Sequence, residues 1–155
     1  MVELPIWEIA GILISLGFSA LFSASETALT SLPQVRVQQM LDSHRIWGKP
    51  LKLWQDHPTR VLATILIGNN IVNITASVLG TELAIAIFPG QGVPIAIGAM
   101  TFLILVTGEI TPKTVARTFP AAIALPTIWV IWFFYVLFFP VTWVLNVLIY
   151  GAAIL

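Results

Sequence analysis

The sequence has no cysteine in its 155 residues. Disulfides and thiolate metal sites are therefore excluded. Histidine is almost as scarce. His44 and His57 both fall in one polar stretch, so no zinc site is expected. Charge is the next deficit: 9% of residues are charged while 58% are hydrophobic. A soluble domain carries about 25% charged residues, so this chain cannot cover itself with a water-facing surface. The expected environment is a lipid bilayer. Acidic and basic residues cancel, seven against seven, and no strongly basic face points to nucleic acid. The opening Met1-Val2-Glu3-Leu4-Pro5 has neither the basic flank nor the small-residue cleavage site of a signal peptide. The first apolar segment is therefore expected to be retained.

The few charges divide the chain into four apolar runs. Ile9 to Ser25 lies between Glu8 and Glu26, and Val61 to Thr81 between Arg60 and Glu82. Leu83 to Gly108 is interrupted by Pro89-Gly90-Gln91-Gly92-Val93-Pro94. From Thr118 to Leu155 there is no charge at all. A spanning helix needs roughly 20 apolar residues, and continuous rather than alternating runs exclude a membrane β-barrel. The pattern predicts an all-α membrane protein forming one transmembrane domain over 1–155. Spans are expected at 5–30, 59–87 and 94–117. The polar stretch 33–57, broken at Gly48-Lys49-Pro50, predicts a short helical pair on the membrane surface. Four basic residues lie in that pair, with Arg60 after it and Lys113 and Arg117 at the end of the third span. By the positive-inside rule 33–57 is cytoplasmic, and the N-terminus and the Pro89–Pro94 turn face outward. The last run, 119–155, is crowded with Trp129, Trp132, Phe133, Phe134, Tyr135, Phe138, Phe139 and Trp143 and broken by Pro120, Pro126 and Pro140. A belt-like or re-entrant segment is favoured there over a fourth span.

Three polar constellations interrupt the lipid-compatible sequence. Thr107-Gly108-Glu109-Ile110-Thr111-Pro112-Lys113 places a carboxylate inside an apolar span, where a charge is costly and marks a functional site by default. Pro112 has no N–H, so the Gly108 carbonyl loses its helical partner. Glu109 and Lys113 are also four apart, in the favourable order for a simple helical ion pair. Glu26 sits where it can pair with Lys113 or Arg117. In the first span Ser15, Ser19 and Ser23 recur every four residues on one face. That spacing suits close helix packing as well as ligation. In the second span Asn70, Asn73 and Ser77 share a face, and Asn70 lies about 15 Å in from Arg60 at 1.5 Å per residue. Amides at that depth cost several kcal/mol unless satisfied. Hydroxyls, an amide oxygen, a carbonyl and one carboxylate form an all-oxygen set suited to Mg²⁺ or Na⁺ rather than copper or zinc.

The stretches Ser23-Ala24-Ser25-Glu26-Thr27-Ala28-Leu29, Gly68-Asn69-Asn70-Ile71-Val72-Asn73 and Gly108-Glu109-Ile110-Thr111-Pro112-Lys113 resemble the three signature regions of the CorC/CNNM (cyclin M) magnesium transporter family. The resemblance covers nearly the whole chain. It implies three spanning helices, a cytoplasmic helical pair, a C-terminal juxtamembrane belt helix and a homodimer. It further implies Mg²⁺ as the transported ion, open to the cytoplasm, with export as the direction and Na⁺ as the candidate coupling ion. Carried over to matching positions, the metal ligands are Ser19, Ser23, Asn70, Glu109 and the carbonyl of Gly108. Members of the family continue into cytoplasmic CBS modules, which are absent from these residues. A membrane anchor or Mg²⁺ sensor that moves no ion is the alternative. No enzyme is expected, since no nucleophile–base pair lies at a plausible depth.

Overall fold

The computed structural model describes residues 6–43 and 47–144. Residues 1–5, 44–46 and the end of the aromatic segment, 145–155, lie outside them. The described residues are helical apart from short connecting turns, with no strand among them. Helix α1 runs Ile6–Ser31, α2 Gln34–Ser43, α3 Gly48–Asp56 and α4 Pro58–Ile87. Helix α5, Gly92–Leu103, continues through a π-helical segment, Ile104–Ile110, into α6, Thr111–Thr118. Helix α7 covers Pro120–Leu137. Among the described residues, four stretches are long and apolar enough to cross a membrane: Ile6–Ser31, Pro58–Ile87, Gly92–Thr118 and Pro120–Leu137.

Prolines set the starts of these helices. Pro58 and Pro120 occupy first-turn positions, where the missing N–H would be unpaired anyway. The turn between α4 and α5 depends on glycine. Gly90 has φ +87°, a backbone region that side chains disfavour. At Gly92 a Cβ would lie 2.5 Å from the Ile85 backbone, so only glycine allows α5 to fold back this closely.

Helix α1 is the hub. It packs against α4, the π segment, α6 and α7. Gly11 lies against Leu79 and Gly68 against Phe22, which fixes α1 and α4 as antiparallel neighbours. Two apolar clusters result. One gathers Phe22, Leu29, Leu51, Val61, Ile65, Ala116, Ala124, Ile128 and Ile131 with parts of α2. It lies at the end that carries Arg36, Lys49, Lys52, Arg60, Lys113 and Arg117, called here the basic end. The other gathers Ile12, Ala76 and Met100 towards the far end. Between the two lies a layer of serine and asparagine.

Helix α7 belongs to the basic-end cluster alone. It starts where Pro120 and Ala121 line one hollow with Leu32 and Pro33. Fourteen residues later the Phe134 ring packs edge-on to Phe22 at 5.0 Å and to Phe18 at 5.8 Å. Helix α7 therefore leans back along α1 from the basic end, with Ala124, Ile128 and Ile131 buried.

Candidate functional site

Most hydroxyls in these helices satisfy themselves. Ser25, Thr64, Thr75, Ser77, Thr81 and Thr107 each donate to the carbonyl four residues earlier on their own helix. That is the cheapest arrangement for a hydroxyl in a medium without water. The layer between the two apolar clusters breaks this pattern. Ser19, fully buried, donates across to Asn69 Oδ1 at 3.1 Å. Ser23, 1% exposed, has its Oγ buried with no hydrogen-bond partner, and so has Oδ1 of Asn73. An unpaired buried polar group costs about 1–3 kcal/mol. Two of them, on α1 and α4 either side of the Ser19–Asn69 bond, mark the place where the fold tolerates unmet polarity.

The third wall is the π segment. The Thr111 N–H reaches back five residues to the Val106 carbonyl. The α-helical turn that begins at Thr111 takes the Thr114 N–H to the Ile110 carbonyl. Between these two bonds lie the carbonyls of Thr107, Gly108 and Glu109. Pro112 has no N–H, so Lys113 offers the one backbone donor within reach. Two of the three carbonyls therefore lack a partner in their own helix. The wide turn and the proline act together, and such π turns recur at functional sites. Gly108 is buried, and a Cβ there would fall 2.5 Å from Ser19 Oγ. Glycine thus lets the turn's backbone come directly against the serine face of α1.

The residues predicted from the sequence fall as follows. Ser19 and Gly108 come together at the contact of α1 with the π turn, and Ser23 is buried one helical turn further along the same face of α1. Glu109 follows Gly108 in the turn and is half-buried. Asn70 is exposed on the chain's surface, and its Nδ2 donates to the Leu66 carbonyl of its own helix at 3.0 Å. The amide that meets the serine face is Asn69, one residue earlier, which the sequence reading passed over. Its signal was available: Asn69, Asn73, Ala76 and Gly80 recur at helical spacing, a row of short side chains that lets α1 approach. Lys113 pairs with Glu26 at 3.3 Å, not with Glu109. No ion pair among the described residues involves Glu109.

The donor set is oxygen alone: two hydroxyls, amide oxygens, free carbonyls and one carboxylate. Among the described residues no three His, Cys, Asp or Glu gather as metal ligands. Such a set suits a hard cation that keeps part of its water.

The family described as "Cyclin M transmembrane N-terminal domain" matches residues 10–154. The chain belongs to the cyclin M (CNNM) transmembrane domain family. It is 38% identical over 128 residues to the UPF0053 inner membrane protein YfjD of Escherichia coli, covering 83% of this chain and 30% of that protein. Similarity to a UPF0053 protein of Haemophilus influenzae reaches 35% over 136 residues, 88% of this chain and 32% of the relative. The metal transporter cnnm-2 of Caenorhabditis elegans is 32% identical over 151 residues, 92% of this chain and 19% of that protein. The chain thus spans less than a third of the length of these cyclin M relatives. Family and apolar helices together make it a multi-pass membrane protein.

Proposed function

We propose that this cyclin M domain binds dehydrated or partly dehydrated Mg²⁺ between α1, α4 and the π turn and carries it across the membrane. The reading rests above all on Ser23 Oγ, buried without a partner on the helix face that meets a turn with two free carbonyls. A cation there satisfies the hydroxyl and the carbonyls together. Ser19, Ser23, the Gly108 carbonyl and Glu109 are the proposed ligands, with Asn69 from α4; Asn73 Oδ1, on the other side of the Ser19–Asn69 bond, lies too far from Ser23 to share the ion. Asn70, carried over from the family pattern, stays in the proposal as a ligand that enters only when α4 turns about its axis, since neighbouring residues lie about 100° apart around a helix. One carboxylate leaves a dication half neutralised, which keeps binding reversible, as transport requires.

The kinship with a relative named a metal transporter supports transport over a static metal site. In this proposal the basic end is cytoplasmic, the N-terminus and the Gly90 turn face outward, and Ile6–Ser31, Pro58–Ile87 and Gly92–Thr118 are the three spans. Helix α7 leans into the cytoplasmic half as a belt, since its buried face meets the basic-end cluster alone. Export, coupling to Na⁺, a homodimer and regulation through cytoplasmic CBS modules belong to the same reading and rest on the family resemblance.

Liposomes loaded with a Mg²⁺-sensitive dye test it. The full chain should carry Mg²⁺ down a gradient, and Glu109→Ala or Ser23→Ala should abolish the flux without altering folding. Binding without flux would make the domain a sensor, and flux unaffected by either substitution would refute the site.

A further inference from the structure

One charged contact lies beside the site without belonging to it. Lys113 Nζ sits 3.3 Å from Glu26 Oε2, tying α6 to α1, and both side chains are close to two-fifths exposed. Ser19 and Gly108 touch on these same two strands of chain, so Glu26 and Lys113 stand beneath the site, towards the basic end. Glu109 is four residues before Lys113, one helical turn away, in the order that favours a Glu–Lys pair. Lys113 therefore has two carboxylates within its compass and in this structure holds the one outside the site. Arg117, one turn further on and exposed, is the other cation on this face of α6.

We propose that Lys113 is a tethered counter-cation that moves between Glu26 and Glu109, so that its ammonium and the bound metal ion compete for the site's carboxylate. The inference deepens the proposed function and rests on it. With Lys113 parked on Glu26, Glu109 is free to take Mg²⁺. When Lys113 swings to Glu109, its charge repels the dication and satisfies the carboxylate that the departing ion leaves behind. An intramolecular ammonium thus gives the half-buried Glu109 carboxylate a partner in the empty state and speeds the departure of the ion. Glu26 is a positioning residue: it sets how often Lys113 is away from the site.

Titration of the full chain in detergent with Mg²⁺, followed by calorimetry, tests this by the sign of two changes. Glu26→Gln releases Lys113 towards Glu109 and should weaken Mg²⁺ binding by about tenfold, the effect of one screened charge a helical turn away. Lys113→Gln should tighten binding by a similar factor and slow Mg²⁺ release in liposomes. The double variant should bind at least as tightly as the unaltered chain, because Glu26 acts only through Lys113. A pure strap between α1 and α6 would move both single variants in the same direction, and that result, or no change in either, overturns the proposal. Should Glu26→Gln fail to fold, Lys113→Gln decides alone: tighter binding supports the exchange, and unchanged or weaker binding refutes it. An unaltered chain that binds no Mg²⁺ would instead refute the site itself.

Discussion

At the scale of single residues, stability and binding should part company. Ser23 Oγ is buried and unpartnered, so Ser23→Ala removes a desolvated hydroxyl that returns nothing to the empty fold. Thermal stability without Mg²⁺ should hold or rise by up to about 1 kcal/mol, while Mg²⁺ affinity falls. Ser25 donates to Leu21, and Ser25→Ala should leave Mg²⁺ affinity unaltered. A melting series with and without Mg²⁺ reads both. Gly108→Ala drives a methyl group onto Ser19 Oγ and should lower stability and Mg²⁺ affinity together, because the π turn can no longer sit against α1. A Ser23→Ala chain that melts well below the unaltered one in the absence of Mg²⁺ would mean that Ser23 is an ordinary packing residue.

At the scale of elements, the π turn and the proline after it divide one task. Pro112→Ala supplies the missing N–H, which should close the turn into a regular helix, raise the melting temperature and weaken Mg²⁺ binding. Phe22 anchors α1 against Gly68 and Phe134, so Phe22→Ala should cost about 3–5 kcal/mol of stability. These elements were unequally legible in the sequence. The apolar runs announced an all-helical membrane domain, because only helices fit continuous apolar stretches in lipid. Pro112 announced a free carbonyl beside Glu109. The π turn was hidden, because one extra residue in a hydrogen-bond register leaves no mark in a uniformly apolar helix. The rotation of α4 was hidden for a related reason. A lipid-facing surface is as apolar as the packed one, so no amphipathic stripe says which of Asn69, Asn70 and Asn73 points inward. Lys113 had two acidic partners open to it in the sequence, and three-dimensional packing of α1 on α6 selected Glu26.

At the scale of the whole molecule, the basic residues gather at one end of the helices, around α2, α3 and the ends of α1 and α6. In the proposed orientation, which follows the positive-inside rule, that end is cytoplasmic. Because the chain has no cysteine, single cysteines placed at Gln38 and Gln91 give an unambiguous topology test. An impermeant maleimide on whole cells should label Gln91→Cys and leave Gln38→Cys untouched until the membrane is opened. The reverse pattern would invert the proposed orientation. The proposed transport depends above all on a cation seated where α1, α4 and the π turn meet. Crystals of the full chain grown with Mn²⁺ in place of Mg²⁺ locate it by anomalous scattering. One peak per chain is expected within coordination distance of Ser23 Oγ, the Gly108 carbonyl and Glu109, lost in Glu109→Ala. A peak elsewhere, or none at that meeting point, would refute the site.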